Sequence, residues 1–598
     1  MRTLLALLIA VLPLAAQDFV WQLGPREALE YRREFTLRTR VVETRETPPP
    51  PENADLRVFP GVHNGPVLLG GELDQERRAM ATPPADPREL GAFLAFDLRR
   101  HGGKPVRHVL PAVFPFGDLV VVARHGAVET DGSQRIEAEV TREAPPPRGL
   151  SKAQHEAWVL SQMRHGLRGR IEIVRRLDPA RGMVAAFTAR FVATVGYAEG
   201  PRSKAEFTIE ERWDTPRIWR ADEPAFRERV ADAIRRGADW LRTRVADPAT
   251  GEFAHFVDRD GTVTYNSGRL ALVLLTLLKA EVAATDPVLV QGFAELRRRE
   301  LVDTYSLALA LMAMEARYAP ADERARILRG ELARAQPRTP SLPDRSLMGE
   351  WVQRLLTNHD AGLDRSYRMR WTYSGGQRFD NSNSQYGLLG LWSAHLCGVE
   401  VPAWAWTGAI GHFLAEQQRV KAAPLAFSLT GHAELAKAAA GARVTAALRR
   451  AEPMGWGYEG NGRPAYGSMT AAGVTGLAIC IAALTETRRA PGELLVKAQR
   501  AMDSGFAWLA GRFTLRWNPD NPYMPREWHE YYLHCVERAC ELSRVALLDG
   551  RDWYFEGAML LLSQQFPSGE FPGGGVHGTC FAVLFLKKAQ LPVLTGPR

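Results

Sequence analysis

Five polar residues stand in succession from Asp380 to Ser384 in "RFDNSNSQYGLLGLW", directly against a segment that reads as a wholly buried helix. A carboxylate in such a place can act as an acid, a base or a ligand contact. It can also do something plainer. Asp380 or Ser382 would accept from the free N–H groups of a first helical turn, and Asn381 and Asn383 would bind turn backbone. One or two caps suffice for a helix, so the surplus requires either a polar cavity or a solvated loop. Tyr305 and Tyr386 sit at similar first-turn positions of their own segments. Tyr265, Asn266, Ser468 and Tyr531 open or follow other polar clusters of the same kind. A rim of Tyr, Asn, Ser and His groups suits a ligand with both polar and apolar parts.

The elements that must position these residues fall into two regions. With 598 residues, 45% hydrophobic and 24% charged, the chain has a globular composition and is too long for one ordinary core. "MRTLLALLIAVLPLAAQD" pairs Arg2 with an apolar run and the small residues Ala15 and Ala16, so residues 1–16 are expected to be an export signal and the mature chain to be periplasmic or extracellular. The net charge of +8 is dispersed, with no basic stripe interleaved with aromatics, which argues against nucleic acid as a partner. Later apolar runs such as "LALVLLTLL" fall short of the roughly 20 residues that span a bilayer, so no membrane span is expected in the mature chain. The five Cys lie inside apolar helical patterns and are expected to be buried thiols.

From about 20 to 220, "RIEAEVT", "GRIEIVRRL", "GMVAAFTARFVATVG" and "KAEFTIEERW" alternate apolar and polar residues, which predicts antiparallel strands with one wet face. A sandwich or barrel-like accessory domain is expected there, with one helix over 151–167 and a linker at "DTPRIWRADEP". From Pro224 to about 595 the pattern turns helical. Amphipathic segments alternate with six that are apolar all round and open on a polar cluster. That alternation predicts an α/α toroid of six inner and six outer helices, with all six polar openings on one rim. "GEF" at 251–253, "GWGY" at 455–458 and "GEF" at 569–571 precede inner helices like marks of a repeat. Inner-helix starts are 39 residues apart at one point (265 to 304) and 86 at another (380 to 466), which predicts long insertions.

On these features, residues 225–590 or so resemble the terpenoid cyclase and protein prenyltransferase superfamily. Gln565, Gly569 and Phe571 of "QFPSGEF" form a degenerate version of the squalene cyclase repeat Q-x-x-x-G-x-W. The resemblance implies the toroid, and it places "FDNSNSQYGLLGL" where squalene–hopene cyclases carry D-x-D-D-T. Asp380 then matches the first Asp, whereas Ser382 stands at the proton donor and Asn383 replaces the last. Protonating an alkene requires a strong, dry carboxylic acid, and a hydroxyl cannot supply it. Asp380, beside two amides, is expected to be ionised at neutral pH. The prenyltransferase comparison implies a possible zinc site from Glu527, His529 and His577, which are competent ligand types. Two functions remain open. One is a binding or scaffold protein for an apolar, glycan or peptide ligand. The other is an enzyme using the same cavity as a terpenoid cyclase or isomerase, a metal-dependent transferase or hydrolase, or a carbohydrate lyase.

Overall fold

The structure, a computed structural model, describes residues 26–43, 57–60, 66–69, 104–113, 117–142, 166–178, 183–196, 204–245, 266–360, 369–373, 379–419, 423–439, 448–459, 464–487, 491–521, 528–573 and 575–594. The expected export signal, the "GEF" at 251–253, Tyr265 and Glu527 lie outside these. The chain divides into two units, Met1–Arg220 and Ala221–Arg598.

The first unit carries β1 (Glu27–Glu43), β2 (Arg57–Pro60), β3 (Pro66–Leu69), β4 (Val106–Val113), β5 (Gly117–Val128), β6 (Ser133–Arg142), β7 (Gly166–Asp178), β8 (Met183–Gly196) and β9 (Lys204–Arg220). Among the described residues they form a single antiparallel sheet in the order β2-β1-β9-β8-β7-β6-β5-β4, with β3 also on β1. One sheet stands where a sandwich would have two, because alternation along a strand identifies a buried face but not how many sheets share it. One face is apolar across five strands: Ala123, Ala138, Ile171, Phe191 and Ile209 stand opposite one another in register and are buried. On the other face Arg170 reaches Glu137 and Arg190 reaches Glu210, all solvated.

Two further boundaries move. Gly166 and Leu167, read as the end of a helix, begin β7, and residues 151–165 lie outside the described set. Asp214–Arg220, read as linker, is the last stretch of β9 and pairs with Glu27–Arg32 of β1. Pro216 has no N–H to give a ladder. The register shifts between Glu30 and Arg32, and this bulge accommodates it.

The second unit contains fourteen helices among the described residues. Six are buried nearly all round: α2 (Asn266–Lys279), α4 (Thr304–Arg317), α7 (Asn381–Leu396), α10 (Gly467–Thr487), α12 (His529–Leu542) and α14 (Val576–Lys587). Each packs on the next in that order, and α14 packs back on α2. Against them lie the more amphipathic α1 (Pro224–Val245), α3 (Pro287–Arg298), α6 (Leu342–Thr357), α8 (Ala403–Glu416), α11 (Gly492–Gly511) and α13 (Trp553–Gln564). The short helices α5 (Glu323–Leu328) and α9 (His432–Ala439) complete the set. The long interval before α10 holds α9 and the strands Leu425–Gly431 and Leu448–Ala451. All five Cys are buried free thiols. At 21 residues α10 is long and apolar enough to cross a membrane, which the strictly apolar runs in the sequence did not suggest, because Ser, Thr and Gly interrupt it. It is wholly buried in the unit, the setting of a core helix.

A shared local device starts three of the buried helices. The backbone N–H of Trp371 donates to Ser384 Oγ (3.1 Å), that of Trp456 to Thr470 Oγ1 (3.3 Å) and that of Phe571 to Thr579 Oγ1 (3.1 Å). Each hydroxyl lies near a helix start, and three residues on stand Gly387, Gly473 and Ala582. A Cβ on Gly387 would lie 2.7 Å from the Trp371 ring, and one on Gly473 2.4 Å from the Trp456 ring. In these two the aromatic thus rests on bare helix backbone, and the second is the Trp of "GWGY".

Candidate functional site

Asp380 is the N-cap of α7, and Asn383 engages both oxygens of its carboxylate. The backbone N–H of Asn383 donates to Oδ1 (2.6 Å) and its side-chain amide to Oδ2 (2.8 Å). Asn381 joins α7 to two other segments: its backbone N–H donates to Tyr458 O (2.8 Å), its amide to Gly457 O (2.8 Å), and its Oδ1 meets His412 Nε2 (2.9 Å). Ser384 donates to Asp380 O while accepting from Trp371. Four of the five polar residues are therefore fasteners. Only Ser382, half-buried, turns toward Tyr531, with 2.8 Å between the hydroxyls.

Burial pushes the Asp380 carboxyl up to about 6, against the pull of the two Asn383 donors. The expectation that amides would hold it low is corrected in direction: desolvation outweighs them, although the group is still mostly ionised at neutral pH. A raised carboxyl pKa stabilises the fold fully only below the unfolded value near 3.8, and that contribution is lost as the pH climbs through about 6. Removing the cap in Asp380→Ala should cost about 1–2 kcal/mol. Asp380→Asn keeps an acceptor, so it should cost less, and its stability relative to wild type should improve from pH 4 to pH 7. Urea denaturation at both pH values checks this; equal differences at the two would refute it.

Ser468 is likewise structural, since its backbone N–H and its Oγ are held by the Asn518 side chain at 2.9 and 3.0 Å. Asn266 is the first residue of α2. His529 Nε2 meets Leu515 O at 2.7 Å. A carbonyl only accepts, so the proton sits on Nε2 and that nitrogen is not offered to a metal. Glu527 is outside the described residues, His577 is partly exposed, and among the described residues no three His, Cys, Asp or Glu side chains converge as a metal set.

The remaining candidates meet where α7 and α12 face each other, two helices that are not neighbours in the packing order. Tyr305 lies edge-on to Tyr386 with ring centres 5.1 Å apart, Tyr386 stacks toward Tyr531 at 6.3 Å, and Phe581 lies 5.5 Å from Tyr531. Beneath them are residues that the sequence reading passed over. Tyr531 donates to Gln385 Oε1 (3.2 Å), so Ser382 is the donor in the pair above it. Arg538 Nη1 donates to the same Gln385 oxygen (3.3 Å), and its guanidinium carbon lies 4.9 Å from the Tyr386 ring centre. Tyr531, Cys535 and Arg538, spaced at four, three and seven, share one face of α12. That spacing was visible in "YYLHCVER"; the depth of burial was not.

The electrostatics are unusual for a core. Arg538 is completely buried. Burial pushes the neighbouring Glu537 carboxyl up to about 8 and holds the His534 imidazole well below its ordinary value, so both are uncharged at neutral pH. His534 stacks on Phe581 at 5.5 Å. Glu541, by contrast, stays ionised despite burial, because Arg324, Lys588 and His432 surround it. At the α12 entrance, burial also lifts the Glu530 carboxyl to about 7.

No protein-family model matches this chain, and no curated protein does. Among solved structures, one of lipovitellin described by its lipid–protein interactions is similar at a TM-score of 0.20 and 10% identity, over 90% of this chain. This chain spans 62% of that chain's length. A likeness of that size carries nothing about fold or ligand.

Proposed function

We propose that the helical unit is a closed α/α toroid of six inner and six outer helices, related in fold to the terpenoid cyclases. In this reading it works in an exported protein as a ligand-binding module without protonation-type cyclase activity. The observation that carries the functional part is the use to which the rim is put: Asp380 spends both oxygens on Asn383, and the Ser382 hydroxyl is committed to Tyr531. Among the described residues no strong, free acid stands where an alkene would have to be protonated. The cyclic packing order of α2, α4, α7, α10, α12 and α14 supports the toroid. The interior groups Tyr305, Tyr386, Tyr531 and Phe581, with Gln385 and Arg538 among them, suit a mostly apolar ligand bearing one polar end.

Purified full-length protein incubated with squalene should yield no hopene-like product, and native mass spectrometry should find an apolar molecule retained. Detection of cyclised product would overturn the reading. Glu530 favours a second reading, catalysis, because a buried carboxyl poised near neutrality can give or take a proton. Under it, Glu530→Gln would bind the retained molecule yet leave it chemically unchanged where wild type converts it.

A further inference from the structure

Arg538 is a fully buried cation of the interior whose hydrogen bonding is incomplete among the described residues. Its Nη1 donates to Gln385, whereas Nε and Nη2 have no partner among the described residues, and the side chain has no exposure to water. Those two nitrogens form the side-on edge of the guanidinium, the edge that fits the two oxygens of a carboxylate. This protein uses that edge elsewhere: Arg297 Nε and Nη2 donate to Asp344 Oδ1 and Oδ2 at 2.7 and 2.8 Å. The buried Arg338 is likewise matched to Glu315 and Glu323. Arg538 alone of these three faces phenols, a thiol and an amide in place of a carboxylate. The Gln385 amide nitrogen beside it also lacks a partner among the described residues, and the Tyr386 hydroxyl has only a weakly aligned approach to Arg538 itself.

A buried, uncompensated cation is strongly destabilising, and a fold keeps one only where something else supplies the anion. We propose that the free edge of Arg538 receives the carboxylate of an otherwise apolar ligand, held between α7 and α12 with Gln385 and Tyr386 as flanking contacts. The inference deepens the ligand-binding reading above and rests on it. Arg538 lies seven residues, about 10.5 Å of helix, below Tyr531, so the ligand's acid end is the deep end. Its apolar part would lie among Tyr386, Tyr531 and Phe581, whose rings must turn aside to admit it.

Decanoate and decanol, equal in chain length and different in charge, are suitable probes, with binding measured by calorimetry at pH 7.4 on the full chain and on Arg538→Met. A charge-assisted bidentate contact is worth about 1.5–3 kcal/mol, or roughly 10- to 150-fold in affinity. Wild type should prefer decanoate by that factor, and Arg538→Met should lose the preference while melting no lower than wild type. If the two probes bind equally, the carboxylate inference falls and the apolar-ligand reading stands. If neither binds, both fall. If Arg538→Met melts far below wild type or fails to fold, Arg538 is a structural group and the inference is overturned.

Discussion

Arg338→Met is expected to destabilise the helical unit by about 3–5 kcal/mol, the opposite of the outcome expected for the same substitution at Arg538. Both guanidinium groups are buried in the core, so side-chain type and burial do not distinguish them. Their partners do. Arg338 Nε donates to Glu315 Oε1 (2.7 Å), and Nη1 and Nη2 donate to Glu323 Oε1 and Oε2 (both 2.7 Å), with Gln336 O taking a further bond. Its backbone N–H is held by Leu396 O (2.7 Å). The group therefore ties the end of α4 to α5 and to the end of α7. Methionine fills much of the volume, but it leaves Glu323 buried without Arg338 and Glu315 with only Lys279, 3.9 Å away, and that poorly compensated charge is the main cost. Replacing all three by Met, Gln and Gln should recover most of the loss, because removing both sides of a buried ion pair is often near neutral. Urea denaturation of the full chain measures it; an Arg338→Met loss below about 1 kcal/mol would mean that water already screens the cluster.

The same comparison explains what the sequence could and could not disclose. The six buried helices were legible because a helix apolar on every face leaves no polar stripe, and "AYGSMTAAGVTGLAICIAAL" has none. The cap at Asp380 was legible too, since it depends on residues three apart. The work of Asn381 and Ser384 was not, for their partners Gly457, Tyr458, His412 and Trp371 lie up to 77 residues away and no local rule links them. Gln385 and Arg538 escaped notice for a related reason. A polar residue in a mostly apolar helix carries no local mark of its partner, and only the arrival of α7 opposite α12 brings Gln385 and Arg538 together. In the sheet unit, alternation located β6 and β8 within a residue or two, but β7 starts three residues before the stretch read as a strand, and β9 runs seven residues beyond it because the Pro in "DTPRIW" looked like a chain breaker. The bulge that accommodates it needs β1, almost two hundred residues earlier in the chain.

The seam between the first and last outer helices should be the most sensitive point of the helical unit to a single methyl group. Gln565, at the end of α13, sends its amide to Ala233 O of α1 and to Gly569 O (both 2.9 Å), while its Oε1 accepts from Arg236 Nη2 (2.6 Å). This is the structural meaning of the Gln and Gly in "QFPSGEF": they fasten residues more than 300 apart in sequence. Gly569 makes the turn with φ +95°, a conformation that L side chains rarely adopt. A Cβ there would also lie 2.3 Å from the Arg236 carbonyl oxygen, which is backbone and cannot rotate away. Gly569→Ala should therefore combine the penalty of a strained φ, about 1–2 kcal/mol, with displacement of α1 from α13 and loss of the Gln565 bonds, for a total on the order of 3–5 kcal/mol. Gln565→Ala removes the hydrogen bonds without the strain and should cost roughly 1–3 kcal/mol. Hydrogen exchange adds a spatial test, because in Gly569→Ala the amides of α1 and α13 should lose protection before those of α7 and α10. Uniform loss across all four helices, or a Gly569→Ala protein as stable as Gln565→Ala, would show that the seam is not held by this turn.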